Sequence, residues 1–245
     1  MINEIRNTVL AIVNKNNYGY ITPADFNLYA EQAQLSIFED YFQSYNNQIL
    51  RENARTSGTG YANLRQITEE VIDTFSTVQS LSQYAASTFS IPSDCYLMIN
   101  VLANGKMAEK VSLNRINQLL ASNLTAPSVT YPAYVVSGGL QGTTPPPQVL
   151  VQRITMYPTS ITSGVTLQYI RYPRSPKWTW LNVGVNGDPV FNSSAADYID
   201  FELPETDSPL LISKILQYAG ISIREADVYK LGATDDSTEY QKDRS

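Results

Sequence analysis

The spacing of apolar residues changes twice along the chain, and those two changes restrict the fold more than any other feature. Ile2, Ile5, Val9, Ile12 and Val13 recur at the interval that places them on one face of a helix over residues 2–13. Asn14 to Gly19 then interrupts the pattern. Thr22-Pro23-Ala24-Asp25 carries the marks of a helix start: a hydroxyl to cap, proline at the first helical position, and a carboxylate near the positive end of the helix dipole. The helix that follows places Phe26, Tyr29, Ala33, Ile37, Phe38, Tyr41, Phe42, Tyr45 and Ile49 over more than one narrow stripe. Such a helix is expected to touch neighbours on two sides, one of them belonging to another subunit. Thr56 to Gly60 reads as a flexible break, after which Tyr61, Leu64, Ile67, Val71 and Phe75 resume helical spacing.

From Thr88 the pattern becomes that of strands. Thr88–Pro92 and Cys95–Leu102 are expected to be extended, and Asn104-Gly105 is a two-residue hairpin signal before Met107–Val111. Ser112 is placed to cap a short helix running to Leu120, and further strands are expected at Tyr131–Ser137, Val149–Tyr157 and Val165–Tyr172. Two long loops are expected, Ser137–Pro147 and Pro173–Ser194, the second carrying Trp178 and Trp180. Ser208-Pro209 opens a last helix with Leu211, Ile212, Ile215, Leu216, Ala219 and Ile223 inward. The expected class is α+β: an N-terminal helical bundle over 1–85, a mostly antiparallel β part over 86–203, and a C-terminal helix over 204–230 packing back on the helical part. A polar tail over 231–245 follows.

Composition narrows the function. Of the 245 residues 43% are apolar, enough for a core, but only 16% are charged, and the difference is made up by neutral polar residues and 17 Tyr. A weakly charged surface can be covered by other subunits without desolvating many full charges, and tyrosine is favoured at interfaces. The formal net charge of −6 and the lack of a basic run argue against a phosphate-binding surface. No apolar stretch approaches membrane-spanning length, and the first residues do not read as a signal segment. The chain has no histidine, which removes the usual neutral-pH general base and the usual transition-metal ligand. The single Cys95, inside the apolar run to Ile99, reads as a buried thiol in a strand. No catalytic residue, cofactor or metal is expected, and the chain is read as a non-enzyme.

Each motif has a plainer reading. Asn104-Gly105-Lys106-Met107 lacks the glycine and hydroxyl spacing of a phosphate loop, so the hairpin reading is preferred. Gly58-Thr59-Gly60 follows a helix where a dinucleotide fingerprint follows a strand, and is read as a hinge. Asp197, Asp200, Glu202 and Glu205 form the densest acidic set outside the tail. Asp200 and Glu202 would share one face of a strand, where a glycosidase pair or solvated edge charges are both conceivable. Trp178 and Trp180 beside Tyr169 and Tyr172 could stack on a sugar ring, whereas core or subunit-interface aromatics are the competing reading. Tyr18, Tyr20, Phe38, Tyr41, Tyr45, Tyr172, Trp178 and Trp180 are the expected interface residues.

Three stretches, Asn17–Asn27, Tyr169–Trp178 and Phe201–Pro204, resemble structural proteins of crAss-like tailed bacteriophages that infect Bacteroidetes. The similarity spans most of the chain, and within that group the chain is similar to connector or ring proteins at the head-to-tail junction. The resemblance implies a virion component, made in the host cytoplasm, that forms a homo-oligomeric ring of roughly twelve copies. Its implied partners are the portal protein and other tail or ring proteins, with DNA passing through the channel without specific binding and no membrane involved. A glycan-binding or other peripheral virion protein using the Trp/Tyr-rich loop is the alternative; tail-fibre, capsid-auxiliary and cargo roles stay open.

Overall fold

The computed structural model describes residues 1–14, 21–53, 69–141, 149–182 and 189–223. The chain divides into two compact units, Met1–Val71 with Pro173–Ser245, and Ile72–Tyr172. The class is α+β, with helices at both ends of the chain and antiparallel-rich sheets between.

The first unit holds α1 (Ile2–Asn14), α2 (Pro23–Asn53) and, at its end, a long helix over Ser208–Ile223. The expected α2 start is borne out. Asp25 N–H donates to Thr22 Oγ1 at 3.1 Å while the Thr22 hydroxyl donates to the Asp25 carboxylate at 2.6 Å, which satisfies an amide the helix itself leaves open. The final helix packs on both α1 and α2; Leu211, Ile215, Leu216 and Ala219 on it and Ile2, Ile5, Val9, Phe26, Ile37 and Phe38 on those helices are all buried. It also buries Lys214, whose ammonium lies 3.1 Å from Asp40 of α2.

Among the described residues, two of the neighbours of α2 belong to this chain. One is the final helix. The other is the extended segment after Pro173, and α2 holds it with a polar stripe. Asn27 exchanges two hydrogen bonds with the Trp178 backbone, at 3.1 and 2.8 Å. Ser175 donates to Glu31 at 2.7 Å, and Gln34 donates to the Arg174 carbonyl at 2.8 Å while accepting from Glu202 N–H at 3.0 Å. Asn27, Glu31 and Gln34 sit four and then three residues apart, so they line one helix face and supply the ladder partners that the extended segment would otherwise lack.

The stretch expected to be one long loop, Pro173–Ser194, is therefore an anchored strap followed by a short hairpin of Trp180–Asn182 against Pro189–Phe191. The strand expected through Asp200 and Glu202 is not formed. Only a single bridge, Lys177 with Ile199, is made there, because the Asp200 and Glu202 side chains and the Glu202 amide bond elsewhere in the unit.

The second unit is a pair of packed sheets. Its strands in chain order are β1 (Ser76–Ser80), β2 (Gln83–Ala85), β3 (Thr88–Ser90), β4 (Cys95–Ala103), β5 (Lys106–Met107), β6 (Glu109–Lys110), β7 (Ala133–Gln141), β8 (Val149–Tyr157) and β9 (Val165–Arg171). One sheet runs β1-β9-β4-β5 and the other β2-β3-β8-β7-β6, all antiparallel except the β6–β7 pair. The chain crosses between sheets at both ends, through Leu81-Ser82 and through Ala108, giving a corner at each edge. Val101, Ala103, Val165, Leu167 and Tyr169 face Phe89, Tyr134, Ile154 and Met156 across the interior. Asn104 and Gly105 take φ of 50° and 76°, the left-handed pair that a two-residue hairpin needs, and Ala103 pairs with Lys106. The short helix α3 (Leu113–Leu120) is capped by Ser112, which accepts from Arg115 N–H at 3.3 Å, and seats Ile116 on Ala133 and Val135.

Sheet structure starts at Ser76, earlier than the change expected near 86, and 69–74 is helical. Ser76-Thr77-Val78-Gln79-Ser80 is an edge strand with one apolar residue, so it carries no alternation to detect. Strand β7 likewise runs on to Gln141, into the stretch expected to be loop.

Candidate interaction surfaces

The acidic set is engaged in structural bonds. Asp200 accepts from Ile2 N–H and Phe201 N–H, both at 2.8 Å, and pairs with the Met1 ammonium at 3.3 Å. Burial opposes its ionisation, but these donors outweigh burial and hold its carboxyl below the ordinary value. Glu202 accepts from Arg174 Nε at 2.7 Å and from Arg174 N–H at 2.9 Å. The hydrogen bond from Lys177, at 2.7 Å, lowers Asp197. A glycosidase pair needs one carboxyl raised and aimed at the other; here two of the acids are lowered, and Asp197, Asp200 and Glu202 each have their own cationic partner. Asp207 is the raised acid, lifted by burial, with hydrogen bonds from Tyr41 and Thr206 opposing. Its carboxylate is occupied by the Tyr41 hydroxyl.

The aromatic candidates separate by burial. Trp178 is 1% exposed and Tyr169, in the other unit, is equally buried, so neither offers a ring to a sugar. The Arg6 guanidinium lies over the Trp178 ring at 3.8 Å from its centroid, Trp180 and Phe191 stack beside it at 6.0 and 5.8 Å, and Trp178 Nε1 donates to Asn3 at 3.0 Å. Phe38 is buried in the helical interior. The expected interface set is corrected accordingly: Phe38 and Trp178 fill the chain's own core, because the final helix and the strap return to cover them. Tyr41 and Tyr45 are half-buried and bonded to Asp207 and Glu69. Trp180 and Tyr172 keep 37% and 40% of their surface exposed. Tyr18 and Tyr20 lie outside the described residues, as do the Gly58–Gly60 break and the polar tail.

Cys95 is half-buried at the start of β4, less enclosed than expected, since its run meets the core on one side only. Burial, with Asp94 alongside, pushes its thiol up to about 11, which makes it a poor nucleophile at neutral pH. Tyr169 is pushed up to about 12 by burial and by Asp94, to which its hydroxyl donates at 3.1 Å. Among the described residues no group of three or more His, Cys, Asp or Glu is placed to hold a metal ion, and no helix is long and apolar enough to cross a membrane.

The four-stranded sheet also exposes a face without charged residues. In the four-stranded sheet, cross-strand register places Val78, Gln168 and Asn100 in one row, Ser76, Ile170 and Leu97 in the next, and Ser80, Thr166, Leu102 and Met107 in a third. These rows form the face turned away from the interior. Val78, Leu97, Met107 and Ile99, the extra residue of a bulge between Met98 and Asn100, are all exposed on it. At its centre Asn100 donates to Gln168 at 3.1 Å. Leu124, Val129 and Tyr131, in the turn after α3, are exposed as well, Leu124 almost completely at 94%. Sequence reasoning missed this face, although its signal was present: Cys95–Ile99 and Val101–Ala103 are apolar at successive positions, which is the pattern of a strand covered on both sides. In comparison with known proteins, no family model and no curated sequence matches the chain.

Proposed function

We propose that the chain is a non-enzymatic structural subunit of a tailed-phage virion, forming a homo-oligomeric ring at the portal-tail junction and lining part of the DNA channel. The observation that carries this reading is β4, whose sequence is apolar on both faces while the described residues leave Leu97 and Ile99 exposed on one of them. Large apolar side chains exposed together on a sheet face with no charged residue are suited to a protein neighbour. The helical part joined to an antiparallel β part agrees with the resemblance to connector proteins drawn from the sequence. The net charge of −6 per copy favours a lumen along which DNA slides without sticking.

The test is light scattering on the purified protein, alone and mixed with its phage's portal assembly. A ring-sized species, or stoichiometric addition to the portal, supports the reading. A single chain that ignores the portal refutes it and shifts the case to a glycan-binding or other peripheral virion protein, for which Trp180 is an exposed ring face in the Trp/Tyr-rich segment.

A further inference from the structure

The phase of the hydrogen bonds in the second unit identifies which backbone groups face outward from its sheet edges. Leu81 N–H donates to the Val165 carbonyl and Arg171 N–H to the Phe75 carbonyl, so Phe75, Thr77, Gln79 and Leu81 are the residues of this stretch that bond β9. Ser76, Val78 and Ser80 therefore turn their N–H and C=O groups to the other side, where no described strand pairs with them. Strand β7 has an outward row of the same kind. Met156 N–H donates to Ser87 and Ile91 N–H to Gln152, so the even-numbered residues of β8 bond towards β3 and the odd-numbered ones towards β7. On β7 this leaves the even-numbered residues pointing outward, as the Tyr134 carbonyl, which accepts from Val111 N–H, confirms. Strand β6 pairs with β7 only at Ala133 and Tyr134. Val136, Gly138 and Leu140 thus present an open edge, on a ribbon that continues with β8 to the Gln141–Val149 pair while β3 pairs no further along β8 than Arg153.

Soluble proteins protect such edges with lysine, proline or a covering element, because open N–H and C=O rows recruit other strands. Among the described residues no strand pairs with either edge, and neither edge carries a lysine or proline. Every residue from Ile116 to Gln152 is uncharged, as is every residue from Thr74 to Ser93. Each edge offers the same short length, Ser76, Val78 and Ser80 against Val136, Gly138 and Leu140. They lie on different sheets of one unit, so their pairing between two copies joins unlike surfaces and leaves a free edge of each kind at the ends. Contacts of that type repeat head to tail and close into a ring when the rotation permits.

We infer that the β7 edge of one copy adds as a strand to the β1 edge of the next, and that this pairing is the copy-to-copy contact of the ring. The pairing rests on the ring reading above and specifies its interface.

Two single-edge variants test it. Gly138→Pro removes an outward N–H from β7 without removing a bond to β8, and Val78→Pro does the same for β1 with respect to β9. Gly138→Lys and Val78→Lys serve as second variants should proline disturb either strand, with far-UV circular dichroism and the urea midpoint reporting the fold. By light scattering each folded variant is expected to remain a single chain under conditions where wild type forms rings. An equimolar mixture of a β7-edge variant with a β1-edge variant is expected to give heterodimers and nothing larger, because one intact edge of each kind remains. Wild-type rings that persist in folded variants at both edges, or a mixture that stays monomeric, overturn the pairing while leaving the ring reading in place. Wild-type protein that stays a single chain alone and beside the portal overturns both.

Discussion

Trp178→Ala decides whether this tryptophan belongs to the chain's core or to a subunit interface. The ring is 1% exposed and is the largest fully buried side chain among the described residues. Truncating a buried tryptophan to alanine costs about 3–5 kcal/mol through lost transfer energy and the cavity left behind. Two stacked neighbours, the guanidinium of Arg6 at 3.8 Å and the Nε1 bond to Asn3 at 3.0 Å place this site at the upper end, about 5 kcal/mol. Total stabilities are about 5–15 kcal/mol, so the loss removes a large share of what holds the first unit together. With a urea slope of about 2–3 kcal/mol per molar, the midpoint falls by roughly 2 M. Trp180→Ala, which removes a ring 37% exposed, is expected to cost only about 1–2 kcal/mol. These are the only two tryptophans, so fluorescence in either variant reports the first unit from the one that remains. A Trp178→Ala protein with an unchanged urea midpoint and lost assembly would refute the core assignment and restore Trp178 to the interface.

Four further outcomes are expected. Gln34→Ala leaves the Arg174 carbonyl and the Glu202 amide without their partner and should cost about 2–3 kcal/mol, with faster hydrogen exchange at Glu202 as the specific sign. Asp200 is held below the ordinary carboxylate value in the folded chain, so its contribution is present in full above roughly pH 4 and is lost as pH falls through the lowered value; Asp200→Asn should flatten that part of the stability-pH curve. Asp207 has the opposite sign: its raised value favours the folded state at low pH and weakens it as pH rises past the ordinary carboxylate value. Asp207→Asn, which keeps an acceptor for Tyr41, should therefore raise the thermal midpoint at pH 7 and leave it unchanged near pH 3. Gly164 has φ of +69°, and a Cβ there would lie 2.1 Å from the Asn104 side-chain oxygen, so Gly164→Ala should lower stability by about 1–3 kcal/mol.

What the sequence disclosed depended on whether a residue's role leaves a period. The core face of α1, the Thr22 cap, the Asn104-Gly105 turn and the Ser112-capped helix α3 were all legible, because each follows from local spacing or local chemistry. Asn27, Glu31 and Gln34 were not recognised as anchors, since a polar stripe on a helix reads the same whether it meets water or the backbone of a distant segment. Trp178 and Trp180, two residues apart, differ in burial only because a strap from late in the chain lies against α2, and no window around them contains that fact.

The sheet edges mark a deeper limit. Which of two alternating residues turns its amide outward depends on hydrogen-bond phase, which register alone establishes; shifting β1 by one residue against β9 would expose Thr77 and Gln79 in place of Ser76, Val78 and Ser80. The same shift would turn Val78 into the interior and bring Thr77 to the outer face. The position of one valine thus fixes both the apolar residue on the outer face and the backbone groups offered at the edge, which is why Val78 is the residue to change at that edge.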